Sequence, residues 1–183
     1  MPWRKVTIYY STMGWQTASS TATGDYSVAY LFNWLETNMW KAANTTVPMY
    51  ITYDATTTTS PDYLIILGHN LYTIGATIVV QYSTDNFAAD VNDAFTAFAP
   101  TADTVILKEF TAIAKRYWRL KITGTLSAAP YMTLCVSGSK IELDYATASF
   151  DPYEQNVKAN TGLSNGGYVT GIHTQYTERK LDL

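Results

Sequence analysis

Cysteine occurs once in this 183-residue chain, at Cys135, so no intrachain disulfide can form and stability has to come from packing. Histidine occurs twice, at His69 and His173. A zinc site built from Cys and His is therefore poorly supplied, and a hydrolase triad would have to draw its base from those two without any Gly-x-Ser-x-Gly nucleophile elbow. Charge is sparse as well: 15% of residues are Asp, Glu, Lys or Arg, and the formal net charge is −3. With no local Lys/Arg cluster, the chain offers no field to attract a phosphate backbone, and nucleic acid is not expected as a partner. Apolar runs of membrane-spanning length are missing. The opening Met1-Pro2-Trp3-Arg4-Lys5 leads only into Val6–Tyr10, too short for a signal-peptide apolar core. The expectation is synthesis in a cytoplasm and no membrane partner.

What is present favours sheet. Hydrophobic residues make up 47% of the chain, enough to offset chain entropy, and 15 Tyr outnumber the 6 Phe and 5 Trp together. Residues 1–24 read as an N-terminal arm and loop, with a Ser/Thr/Gly-rich stretch from Thr17 to Gly24. Asp25 then stands where a helix cap would, and Val28, Leu31, Phe32 and Leu35 recur at helical spacing, which predicts a short helix over about Tyr26–Asn38. From Pro48 the period changes to two. Met49, Ile51 and Tyr53 alternate with polar neighbours, Tyr63–Leu67 is a continuous apolar run suited to a central strand, and Ile78, Val80 and Tyr82 alternate up to the turn Ser83-Thr84-Asp85-Asn86. Val105–Phe110 follows, then Tyr117–Ile122 with Trp118, Leu120 and Ile122 on one face and Tyr117, Arg119 and Lys121 on the other. Met132, Leu134 and Val136 alternate next, around a Cys135 expected to be buried or half-buried, and Ile141–Leu143 makes a last short strand. Seven or eight strands without helix-length crossovers imply antiparallel pairing in a sandwich or barrel spanning residues 25–145.

Beyond residue 145 the chain turns polar. A final strand candidate, Tyr168 to Leu181, follows the turn Ser164-Asn165-Gly166-Gly167 and has no evident hairpin partner. Residues 146–183 therefore read as a C-terminal linker and strand arm. Tyr168, Ile172, Tyr176 and Leu181 are its expected contacts with a neighbouring chain, made by strand addition.

Several of these segments resemble a discoidin-like, or galactose-binding-like, jelly roll: Trp40-Lys41-Ala42-Ala43 leading into Tyr50-Ile51-Thr52-Tyr53-Asp54, then Tyr63 to Leu71, Thr77 to Asp85, and Arg116 to Ile122. Gly68-His69-Asn70-Leu71, the Tyr82-Ser83-Thr84-Asp85 strand end, Tyr117-Trp118-Arg119-Leu120 and the Ser164–Gly167 turn together look like a group of bacteriophage tail structural proteins carrying that jelly roll. The resemblance implies an all-β fold, an antiparallel β-sandwich with N- and C-terminal arms and at most one short helix. It also implies a non-enzymatic virion protein of the tail or tail tip, assembled in a host cytoplasm with copies of itself and other virion proteins. Jelly rolls of this type often hold a structural calcium, and the acid-rich loop Asp85–Asp93 is the candidate here, although it matches no EF-hand. No other cofactor is expected.

Two further readings concern individual side chains. His69, in a turn after a central strand, is expected to bond loop backbone, and the acids Asp54, Asp62, Asp85, Asp90, Asp93 and Asp103 read as turn formers rather than a glycosidase pair. Exposed Trp rings suit the C–H faces of pyranoses, so Trp15, Trp34 and Trp40 are candidate glycan contacts, and a carbohydrate-binding module is the alternative function.

Overall fold

The computed structural model describes residues 5–143, 155–167 and 169–179. They fall in two compact units, Thr7–Glu142 and a second made from the flanking segments. The larger unit is a β-sandwich of the jelly-roll type. Its first sheet runs in the order β1 (Thr7–Ser11), β10 (Tyr131–Glu142), β5 (Tyr63–His69), β8 (Ile106–Glu109), with β3 (Trp40–Lys41) pairing beside β10. The second runs β2 (Thr17–Ala18), β4 (Met49–Thr59), β9 (Lys115–Gly124), β6 (Ala76–Ser83), β7 (Asn92–Asp93). Every pairing is antiparallel. From β4 to β10 the chain crosses to the opposite sheet at each connection, apart from the short edge strand β7.

Period-two patterning places the core. Trp118, Leu120 and Ile122 of β9 face inward with Met49 and Ile51 of β4 and Ile78 and Val80 of β6, all buried. Leu64, Ile66, Met132 and Cys135 meet them from the first sheet. A smaller cluster on the outer side of that sheet joins Tyr63, Leu134 and Val136 with Tyr9, Phe32, Ile65 and Leu67. The Tyr63 hydroxyl there is buried and has no hydrogen-bond partner among the described residues.

Four expectations change. Residues 7–18 are no arm: β1 pairs with β10 (Tyr9 opposite Lys140) and β2 with β4 (Ala18 opposite Ile51), and Met13 and Trp15 enter the core. The helix contracts to a 3-10 turn, Val28–Phe32, capped by Ser27, whose Oγ accepts from the Ala29 amide at 3.2 Å; Asp25 instead receives the Tyr30 hydroxyl. Helical spacing still has a meaning, because Leu31 is buried, with Val28 and Phe32 packed beside it, while Leu35 is exposed. Trp34 ends the run at a φ of 61°, and the Asn33 side chain takes the Leu35 amide at 2.9 Å. Ile141 and Glu142 extend β10 rather than forming a strand of their own.

In the smaller unit, β11 (Gln155–Leu163) and β12 (Val169–Arg179) form an antiparallel hairpin with Asn160 opposite His173. The terminal strand therefore has a partner within the chain. Ile172 lies opposite Thr161 and Tyr176 opposite Lys158, while Tyr168 and Leu181 lie outside the described residues. β11 reads as linker in sequence because it is polar and lacks alternation, yet backbone pairing requires neither. Among the described residues no helix is long and apolar enough to cross a membrane.

Candidate functional site

Gly68 and His69 end β5 at a corner that shapes a surface cleft. Gly68 has φ 55°, a left-handed conformation suited to glycine, and a Cβ there would lie 2.2 Å from Thr133 Oγ1. The tight approach lets His69 turn inward. Its Nε2 donates to the Thr104 carbonyl at 2.8 Å and its Nδ1 accepts from the Leu71 amide at 3.2 Å, which assigns the Nε2-protonated tautomer from the bonding network. Asn70 clips the β9–β10 loop, donating to the Ala129 carbonyl and accepting from the Tyr131 amide, and Leu71 is buried. Each residue of Gly68-His69-Asn70-Leu71 thus has a structural task, as expected for His69. Asp103 Oδ1 stands 3.6 Å from His69 Nδ1, but that nitrogen is already an acceptor, so the contact is no ion pair.

The cleft has a volume of about 470 Å³ and is lined by Glu36, Leu67, Gly68, Asp103, Thr104, Val105 and Thr133. Its two carboxylates differ. Asp103 is spent on structure, accepting from the Tyr72 and Thr73 amides and the Thr73 hydroxyl. Desolvation would raise its pKa, but those hydrogen bonds outweigh it and hold the carboxyl below the usual range. Glu36 is exposed and carries no hydrogen bond or ion pair among the described residues. Thr133 Oγ1 donates to the Leu67 carbonyl at 3.0 Å and keeps acceptor capacity. Trp34, two residues before Glu36, is 61% exposed.

The three candidate glycan contacts therefore separate. Trp34 is displayed. Trp15 and Trp40 are 1% and 0% exposed and belong to the core, which corrects their assignment. Each buried indole N–H has an acceptor, Trp15 in the Cys135 carbonyl at 2.7 Å and Trp40 in Thr21 Oγ1 at 3.2 Å. Loop position in the sequence suggested display, but Trp15 is buried between β1 and β2 and Trp40 in the short strand β3, each with an acceptor for its N–H. Glu36 was not singled out from the sequence, where it falls inside the expected helix over about Tyr26–Asn38. The break at Asn33-Trp34 was the available signal.

The Asp85–Asp93 loop spends its oxygens on protein donors. Asp85 accepts from the amides of Ala88, Ala89 and Asp90 and from Ser83 Oγ, and Asp90 accepts from the Thr84 amide and hydroxyl. Among the described residues no three His, Cys, Asp or Glu side chains converge to hold a metal.

No protein-family model matches the chain, and no curated protein matches it. Solved structures share its fold. The chain is similar to chitosan-binding module 1 of a chitosanase/glucanase from Paenibacillus sp. IK-5, at 17% identity and a TM-score of 0.57 over 70% of this chain and 98% of that one. It is similar to CpGH89CBM32-5 from Clostridium perfringens, solved in complex with GalNAc-β-1,3-galactose, at 13% identity and a TM-score of 0.54 over 67% and 92%. In a Ruminococcus gnavus GH29 fucosidase the match, at 13% identity and a TM-score of 0.57, covers 68% of this chain but 25% of that one. At these identities the likeness concerns the fold, a discoidin-like β-sandwich found in carbohydrate-binding modules.

Proposed function

We propose that the chain is a carbohydrate-binding module that receives a sugar in the cleft beside Trp34 and Glu36. The carrying observation is a cleft lined by an unengaged carboxylate, Glu36, on a loop that displays an exposed indole two residues earlier in the chain, at Trp34. Pyranose C–H groups suit the indole face, and sugar hydroxyls suit the Glu36 carboxylate and the Thr133 oxygen. Leu67 and Val105 supply apolar wall. Similarity of fold to modules solved with GalNAc-β-1,3-galactose and with chitotriose adds support.

Turnover is not part of the reading. Glycoside hydrolysis asks one carboxyl for a raised pKa and freedom to protonate the leaving oxygen, whereas Asp103 is depressed and pinned by amide donors. The virion reading rested on resemblance and on a terminal strand without a partner, and β11 now supplies that partner. A glycan array followed by calorimetry tests the proposal. Trp34→Ala and Glu36→Gln are expected to weaken the best hit tenfold or more, about 1.4 kcal/mol, with unchanged melting temperature. A featureless array, or binding indifferent to both substitutions, would sink it.

A further inference from the structure

The outer face of the second sheet carries a feature that the cleft does not use. Trp118, Leu120 and Ile122 of β9 point into the core, so Tyr117, Arg119 and Lys121 point away from it. Arg119 lies between its cross-strand neighbours Thr52 and Gln81. Its guanidinium carbon stands 4.1 Å from the centre of the Tyr50 ring and 4.0 Å from that of Phe87, so two aromatic rings lie against the cation. Nε donates to Gln81 Oε1 at 2.8 Å. Gln81, only 4% exposed, is itself fixed by donating to Asp93 Oδ1 at 2.6 Å.

Phe87 reaches this position at a conformational cost. Asn86 and Phe87 occupy the left-handed region consecutively, at φ 57° and 63°, which is disfavoured for a bulky aromatic. The Asp85 and Ser83 side chains hold the loop there, Ser83 Oγ accepting from the Phe87 amide at 2.9 Å. With Tyr50 and Phe87 against the cation and Nε bonded to Gln81, the Nη groups of Arg119 have no acceptor among the described residues. Burial lowers the Arg119 pKa, as expected of a cation with incomplete hydration. Lys121, two residues along the same face, makes no ion pair among the described residues. Of the nearby carboxylates, Asp54 is taken by Arg116 at 2.7 and 2.8 Å and Asp93 accepts from Gln81. The result is a prealigned cationic fork on a chain of net charge −3.

We infer that this clamp is a second binding site, separate from the Trp34 cleft, which takes the carboxylate of an acidic sugar such as a uronic acid. A planar guanidinium with one free edge matches a planar carboxylate through two parallel N–H···O bonds, a geometry that an ammonium does not reproduce. Lys121 adds a point charge on the approach. The sugar as carrier of that carboxylate rests on the glycan-binding reading above; the carboxylate itself rests on Arg119 alone.

The test is titration of the full chain with an oligogalacturonate trimer, its neutral methyl ester, and sodium acetate at matched ionic strength, read by calorimetry and by the Arg119 Nε–Hε resonance. The acidic trimer should bind saturably and shift that resonance, the ester and acetate at least tenfold more weakly. R119Q and R119K should each lose tenfold or more, the second showing that fork geometry and not charge alone is read. In W34A the trimer should still shift the Arg119 resonance, so that failure of the cleft shows separately, in loss or retention of neutral-glycan binding. Trimer binding that survives R119K, or no saturable binding of any of the three, overturns the site. Acetate binding as tightly as the trimer overturns the sugar as its ligand.

Discussion

Among the described residues three indoles are sunk in the core, at Trp15, Trp40 and Trp118, and one is displayed, at Trp34. The difference is testable one residue at a time. Trp15→Ala or Trp40→Ala removes a fully packed ring and strands an acceptor, a loss of about 3–5 kcal/mol expected in denaturant melts, whereas Trp34→Ala should leave stability within about 0.5 kcal/mol. At Gly68, alanine meets both an unfavourable φ and the Thr133 side chain, so Gly68→Ala should cost about 2 kcal/mol or more. Adding Thr133→Ala should recover part of that loss, and simple additivity in the double-mutant cycle would show that the contact is not the cause. Cys135 offers a probe of a different kind. Burial pushes its thiol far above the usual range, so a thiol reagent should leave it unmodified in the native protein and label it only on unfolding. Fast native-state labelling would contradict its packing.

The loop between β6 and β7 is the element most exposed to acid. Asp85 is held below the usual carboxylate range first by Ser83 and then by backbone amides, and Asp90 first by the Thr84 hydroxyl. Asp54 is lowered chiefly by Arg116. Depressed folded-state pKa values mean that these groups stabilise the fold fully above the ordinary carboxylate value, near 4, and that the contribution fades as pH falls through the depressed values. Melting temperature should therefore be flat from about pH 7 to 5 and drop below about 4, and Asp85→Asn should lower it at neutral pH while flattening the acid limb. An unchanged acid limb in that variant would remove the loop from the explanation. This element also shows what sequence makes legible. Ser83-Thr84-Asp85-Asn86 announced a turn because short polar side chains bond nearby amides, a local property. That the turn would lay Phe87 over Arg119 is non-local and left no mark in the periodicity. For the same reason β4, β5, β6, β9 and the start of β10 were readable from alternation or apolar runs. β2, β3 and β7, two residues each, are too short to alternate, and β11 pairs through backbone without an apolar face. Of the cleft, Gly68 was legible through its turn motif, whereas Glu36 went unremarked within a helix that Asn33 and Trp34 prevent.

Among the described residues, the buried hydrophobic core residues lie between Met13 and Val136, with Tyr9 packed against them. Ending the chain after Leu143 should then leave a folded sandwich whose melting temperature moves little, and loss of cooperative melting in that fragment would contradict the division. An isolated two-stranded hairpin is marginal in water, so amides of β11 and β12 should exchange faster than those of β5 or β9 in the full chain.

The pairing of β1 with β10 has a consequence in time. The first strand made hydrogen-bonds to the last strand of the sandwich, and the Trp15 indole closes on a carbonyl 120 residues further along. As the polypeptide emerges from a ribosome, Tyr9, Met13 and Trp15 must wait, unpaired, for nearly the entire sandwich to be synthesised. Such long sequence separations place folding in the slow millisecond-to-second range. They also leave an apolar edge open to wrong pairing during synthesis. A nascent chain stalled with β10 still inside the exit tunnel should thus be protease-sensitive throughout, acquiring protection in one late step rather than sheet by sheet.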